Sequence, residues 1–407
     1  MSFTQFDLDP RLLKNIQALG FDRPTPIQRA TVPTALQGHD ILGSAETGTG
    51  KTAAYLLPIL QQLIAVPAPG RGPHVLILVP TRELALQVAD HARQLSQHTG
   101  TRLATIYGGV GYGDQDQALK RGIDIAIATP GRLLDHIERK NIVFTELQIL
   151  VLDEADRMLD VGFLPDIRRV VRLLPRQRQT LLFSATLQPI LNLAAEVTHN
   201  AKRIEVAQAP TPQLIKQTLF PAPEHLKFEV LRRLLQEDPA MDSVLIFTRT
   251  KHRADRLVKN LQRAQIKARV IHGNRSQSQR VAALEAFRRG HTRVLVATDI
   301  AARGIDVEGV SHVVNYDVPM QADDYVHRIG RTGRAQAAGE AYTLVAPADE
   351  KMIYRIEAVL KQKIQRRRLA GINYNQPALV QPDAEAIRRY VEANRHKQSA
   401  GAPALTR

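Results

Sequence analysis

The sequence predicts an α/β protein made of two tandem domains, each a mostly parallel sheet flanked by helices, with a short basic C-terminal tail. Three observations carry this. Short apolar runs of strand length end abruptly in polar or Gly-containing clusters. Helix-patterned segments separate those runs, the alternation expected of parallel sheets covered on both faces. The whole pattern occurs twice within 407 residues, a length that suits two cores better than one.

In the first half the runs are Val75 to Val79, Ile123 to Ala128, Ile149 to Leu152 and Thr180 to Phe183. In the second half they are Val244 to Phe247, Ala268 to Ile271, Val294 to Ala297 and His312 to Asn315. Thr81 to Leu95 and Lys251 to Gln265 read as helices between them. Pro210, Pro212, Pro221 and Pro223 cluster between the halves, which places a linker at 207–213. The expected domains are thus 1–206 and 214–360. The basic run Lys361 to Arg368 then opens a tail, 361–407, with a brief helical pattern at Ala384 to Asn394 and otherwise the composition of a disordered segment.

Composition narrows the function. Hydrophobic content of 44% is that of a globular protein, and the absence of cysteine excludes disulfides and zinc–thiolate sites. No run reaches the ~18 apolar residues of a membrane span, and the N-terminus has neither a basic nor an apolar leader region, so a cytoplasmic protein without membrane contact is expected. Net charge is +15, and Lys351 to Arg407 alone carries 12 Lys/Arg against 4 Asp/Glu. The tail is a candidate polyanion arm, although a solvated, solubilising extension has the same composition.

The chemistry gathers where apolar runs end, the carboxyl edge at which open α/β sheets bind ligands. Ala45-Glu46-Thr47-Gly48-Thr49-Gly50-Lys51-Thr52 matches a phosphate loop with Ala in place of the first Gly. Glycines let backbone N–H groups face phosphate oxygens, Lys51 would reach the β and γ phosphates, and Thr52 would ligate magnesium. Asp153-Glu154-Ala155-Asp156 follows Ile149 to Leu152. There Asp153 would hold magnesium through water, and Glu154 would orient or deprotonate the attacking water. Arg331 and Arg334, about 280 residues beyond Lys51, read as arginine fingers on the same nucleotide. Taken alone, the loop is also a Gly-rich turn and the tetrad an acidic helix start.

Together these motifs identify the chain as resembling the DEAD-box RNA helicases, over about residues 3 to 334. That resemblance implies two RecA-like domains, ATP and Mg2+ as cofactors, and RNA-dependent ATP hydrolysis. Closure of the domains on single-stranded RNA would unwind short duplexes locally or remodel RNA–protein complexes. Gly20 to Gln28 resembles the Q motif, which implies that Gln28 reads the adenine edge and Phe21 packs near the base, with Phe3 the isolated upstream aromatic. From the residues alone, Phe3, Phe6 and Phe21 are equally core positions. Ser184-Ala185-Thr186 resembles the motif coupling hydrolysis to strand separation, and Asp306, in the run Asp299 to Asp306 that includes Arg303, the ribose contact. His327 is similar to the DEAD-box pattern and unlike the DEAH branch, and with Arg303 is assigned to coupling.

The same resemblance implies RNA contacts at Thr81, Arg82, Gly108, Gly109, Thr129 and Arg132 in the first domain, and at Arg249, Gly273, Gln277, Arg280, Thr298 and Asp299 in the second. Hydroxyls, glycine N–H groups and arginines suit phosphate and sugar, and aromatics are only 5%, so backbone binding with little sequence specificity is expected. Several of these sites are also ordinary turns, and charge does not separate RNA from DNA. Met1 to Phe3, Arg157 to Phe163 and the short tail are similar to the bacterial RhlE-like subgroup. Ribosomal precursors and the RNA-decay machinery are settings typical of the family, and a monomer is expected.

Overall fold

The computed structural model describes residues 2–45, 48–65, 72–206, 215–299, 310–333 and 339–377. Fourteen strands are found among them. The first seven are β1 (Ile41–Ser44), β2 (Val75–Leu78), β3 (Leu103–Ile106), β4 (Ile125–Ala128), β5 (Ile149–Leu152), β6 (Gln179–Ser184) and β7 (Lys202–Glu205). The second seven are β8 (Ile215–Pro221), β9 (Val244–Thr248), β10 (Ala268–Ile271), β11 (Val294–Thr298), β12 (His312–Asn315), β13 (Gly339–Val345) and β14 (Gln365–Arg366).

The first sheet runs β3-β4-β2-β5-β6-β1-β7 and the second β10-β11-β9-β12-β13-β8-β14. The second order is the first with every strand advanced by seven. All recorded strand pairs are parallel, for example Ile149↔Val75 and Ile149↔Gln179. Each half is therefore one copy of the same RecA-like plan.

Strand sequences read as unbroken apolar runs because both faces are covered. Ile77, Ile127 and Val151 point into one cluster, while their neighbours Leu76, Leu78, Ala126 and Leu152 point into the opposite one. The second sheet alternates likewise, Val244 and Ile246 against Leu245 and Phe247. The helices Arg82–Leu95 and Lys251–Arg263 lie where the periodicity put them, each N-capped by a threonine hydroxyl accepting from the backbone N–H three residues on.

The structure corrects the expected tail. Residues after Leu360 are not simply an extension: β14 pairs in parallel with β8, and Leu369, Ile372 and Tyr374 pack against the second core. Arg366 is fixed by two hydrogen bonds to Glu350, which turns part of the basic run into structure. The linker at 207–213 and the tail beyond 377 lie outside the described residues.

Candidate active site

The phosphate loop, the acidic tetrad and the Ser-Ala-Thr turn each follow the carboxyl end of a strand, β1, β5 and β6. Gly48 and Gly50 take φ of 81° and 90°, conformations that open the way into the helix Lys51–Ile64. A Cβ on Gly50 would lie 2.4 Å from Nε2 of Gln28. Gln28 is buried, accepts from the Thr25 N–H at 2.9 Å and donates to the Gly50 carbonyl at 3.2 Å. It thereby ties the loop before the helix Pro26–Leu36 to the phosphate loop, with one N–H and one lone pair left for an adenine edge.

Lys51 is buried and donates to the Ala45 carbonyl at 2.7 Å. Tyr55, one turn further on, donates to Asp153 Oδ2 at 3.0 Å. Burial pushes Asp153 up to about 6 against the opposing Lys51 charge. Glu154 behaves differently. Burial alone would raise it, but Arg157, Lys51 and Arg331 outweigh burial and hold it below the ordinary glutamate range. Arg157 Nη1 donates to Glu154 Oε2 at 2.8 Å. Glu154 itself has φ 52° and ψ 51°, a left-handed conformation uncommon outside glycine and typical of positions held for function.

Arg331 reaches this group from the second domain. It is buried and, with Lys51 and Glu154, lines a cavity of about 790 Å³ that also touches Phe21, Gln28, Thr52 and Asp153. Half-open Phe21 therefore belongs to the cavity, whereas Phe3 and Phe6 pack edge to face in the first core and are not part of its lining. A smaller cavity joins Lys51, Glu154 and Asp156 to Thr186, His327 and Arg331. Asp156 Oδ2 accepts from the Ala185 N–H, the Thr186 N–H and the Thr186 hydroxyl at 3.1–3.2 Å, and Ser184 Oγ donates to the Thr186 carbonyl at 2.7 Å. The acidic tetrad and the Ser-Ala-Thr turn are thus one hydrogen-bonded unit.

The expected track residues line the same edges of both sheets. Thr81 caps its helix, Arg82 packs against Gly109, and Gly108 has open space where a side chain would be. Thr129 is buried at the start of the helix Pro130–Glu138. Arg132 donates to the Val110 carbonyl at 3.0 Å, lies over the Tyr112 ring at 4.1 Å, and keeps Nε and Nη1 buried without a hydrogen-bond partner. Thr298 ends β11, and Gly273 is open and exposed. Arg249 is held by its N–H on Asp317 and its guanidinium beside Asp349.

Asp299 and Arg280 are also engaged within the protein. Asp299 takes a two-pronged pair from Arg328, at 2.6 and 2.7 Å, so it organises the edge through that arginine. Arg280 pairs across the domains with Glu83 at 3.0 Å. Glu46, Thr47, Arg303, Asp306 and Arg334 lie outside the described residues, as does the Gln277 side chain. Tyr55, Arg157 and Arg328 were missed at the sequence level. The first two were findable, since they fall four and three residues along a helix from Lys51 and Glu154.

A magnesium ion carried with a nucleotide suits these donors. No group of three or more metal-ligating His, Cys, Asp or Glu side chains is found among the described residues. Magnesium on phosphates needs only one or two protein oxygens, which the Asp153 carboxylate and Thr52 hydroxyl could supply.

Residues 25–193 match the DEAD/DEAH box helicase family, and 226–336 match the helicase conserved C-terminal domain. The chain is 42% identical to the ATP-dependent RNA helicase CshA of Listeria monocytogenes, over 89% of this chain and 69% of that one. It is 41% identical to the DEAD-box ATP-dependent RNA helicase RhpA of Helicobacter pylori, over 92% and 76%. Among solved structures, S. cerevisiae Dbp5 bound to RNA and ADP–BeF3 matches with a TM-score of 0.80 at 30% identity, over 96% of this chain and 99% of that one. A Dbp5 point variant bound to nup159, gle1, IP6 and ADP matches at 0.64 and 29% identity, over 95% and 99%.

Proposed function

This chain belongs to the DEAD-box ATP-dependent RNA helicases, and from that membership we propose how its own residues divide the work. The carrying observation is that Lys51 and Glu154 of the first domain line one cavity with Arg331 of the second. ATP is read as lying in that cavity, with its base toward Phe21 and Gln28 and its phosphates toward Gly48 to Thr52. Asp153 and Thr52 would hold magnesium, which when bound neutralises charge on the β and γ phosphate oxygens.

Glu154, kept ionised by its three cations, orients the attacking water and accepts its proton as the water oxygen bonds to the γ phosphorus and the bond to ADP breaks. Lys51 and Arg331 take up charge on the transferring phosphoryl group. The Asp156–Thr186 unit passes the change at the tetrad to the domain contact, where His327 faces the smaller cavity.

RNA is proposed to cross Arg82, Gly108 and Arg132 on one domain and Arg249, Gly273 and Thr298 on the other. A track shared between domains favours their closed arrangement, because a ligand shifts an equilibrium only by binding one state better. The higher TM-score against the Dbp5 complex with RNA and ADP–BeF3 supports reading the present arrangement as that closed form. Closed domains bend one strand away from duplex geometry, so a short duplex opens locally. As finer partners we propose ribosomal precursors or RNA-decay assemblies, with the chain acting as a cytoplasmic monomer. RNA crosslinked to the Glu154→Gln form identifies them.

The test is strand separation of short duplexes with ATP, using matched RNA and DNA. ATP-dependent opening of RNA duplexes, and not of DNA, is expected. Equal opening of both would overturn the RNA assignment, and no opening with ADP or ATP would overturn the helicase reading of the site.

A further inference from the structure

We propose that a basic groove on the outer edge of the second sheet is a second RNA-binding surface, gripping the strand where it leaves the interdomain track. The proposal rests on the RNA reading above.

β10 is the edge strand of its sheet, and the helices Lys251–Arg263 and Gln277–Arg288 pack on it from either side. Between them runs a groove of about 960 Å³ with β10 as its floor. Lys259 projects from the first helix, Lys267 from the residue just before the strand, Arg269 from the strand, Arg275 from the loop after it and His291 from the turn after the second helix. One carboxylate, Asp255, lies among them, and it is already bonded to His272 and Arg275. Lys259, Lys267 and Arg269 are exposed and make no salt bridge among the described residues. Arg275 keeps Nε buried without a hydrogen-bond partner.

The groove begins two residues along the chain from the track. Arg275 lies two residues beyond Gly273, at the carboxyl end of β10, and the floor runs back along β10 for ~13 Å. A strand crossing Gly273 and turning off the sheet edge meets these cations in succession.

Charge on an edge strand also discourages pairing with other chains. That explanation covers Arg269 but not Lys259 or Arg275, which come from other elements. It fails again on the first domain, where the corresponding edge strand β3 reads Leu-Ala-Thr-Ile without a charge. The fold does not require the cations. Gln262 donates to the Ala268 carbonyl at 3.1 Å and so occupies part of the open strand edge, which disfavours an added peptide strand and leaves phosphate as the fitting ligand.

The experiment compares the wild type with Lys259→Ala/Lys267→Ala/Arg269→Ala, using single-stranded RNAs of about 8 and about 25 nucleotides, the shorter filling only a core track. For the long RNA, affinity of the triple variant should fall at least tenfold, and the slope of log affinity against log salt should flatten by ~2 for three lost phosphate contacts. Affinity for the short RNA, and ATP turnover saturated with it, should not change. Unchanged long-RNA binding overturns the proposal, and if the variant instead loses an acidic protein partner the groove is a protein site. Equal losses on both RNAs place the cations in the core track and also overturn it. Failure of either RNA to stimulate turnover in the wild type would strike the RNA reading itself, a separate result.

Discussion

Arg331 and Glu154 come from opposite domains, yet they line one cavity, and the arginine's charge helps keep the glutamate ionised. With the roles proposed above, the base and the charge that stabilises the transition state are assembled only when the domains meet. This makes hydrolysis a property of the interface.

Removing the base without removing the site should separate binding from turnover. Glu154→Gln is expected to bind ATP and RNA normally while hydrolysis falls 10²–10⁴-fold, the usual worth of a positioned general base. Single-turnover hydrolysis and nucleotide titration measure the two quantities. Turnover within threefold of wild type would remove Glu154 from the mechanism.

Arg331→Ala should act on rate alone. A loss of ~10³ in turnover is expected, in the range of arginine fingers, with ATP affinity of the isolated first domain's loop residues untouched. The readout is kcat against KM for ATP at saturating RNA. A raised KM at constant kcat would make Arg331 a binding group and not a transition-state contact.

Glu83 and Arg280 form an ion pair between the domains, with both side chains largely buried. Glu83→Arg and Arg280→Glu should each weaken RNA-and-ATP-dependent closure, and the combined swap should recover part of it. A coupling of ~0.5–3 kcal/mol is expected from a double-mutant cycle. Strictly additive effects would show that the pair does not form in the closed state.

His136 supplies a pH test. It is fully buried against Gln115 and Asp116, and burial, reinforced by Arg132 and Arg139 against the pull of Asp116, holds it below the ordinary histidine range. The unfolded chain takes up this proton near pH 6.5 and the folded chain resists it. Stability from this group is therefore complete above pH 6.5 and declines as pH falls below it. Denaturant midpoints of wild type and His136→Asn at pH 7.5 and 5.5 should show a smaller acid loss in the variant. Equal losses would exclude His136.

Much of this was legible in sequence, for physical reasons. The strands buried on both faces, such as Ile149–Leu152 and Val294–Thr298, announce themselves as apolar runs. Strands without that double burial do not. Lys202–Glu205 and Gln365–Arg366 are charged edge strands; Ile41–Ser44 is buried on both faces, but its glycine, which leaves room for Phe183, interrupts the apolar run. Loops whose chemistry is local, at Gly48 to Thr52 and Asp153 to Asp156, were readable from residue types alone. Partnerships across the fold were not. Nothing in the order of residues announces that Arg328 grips Asp299, or that Arg280 reaches Glu83.

In the proposed cycle, RNA is what brings Arg331 to Glu154. Steady-state ATP turnover of the purified chain, measured with and without single-stranded RNA, tests it most directly. Low basal turnover, strongly stimulated by RNA in the wild type and not in Arg331→Ala, is the expected result. Equal rates with and without RNA would mean that Arg331 and Glu154 meet without the strand, and would contradict closure on RNA as the switch.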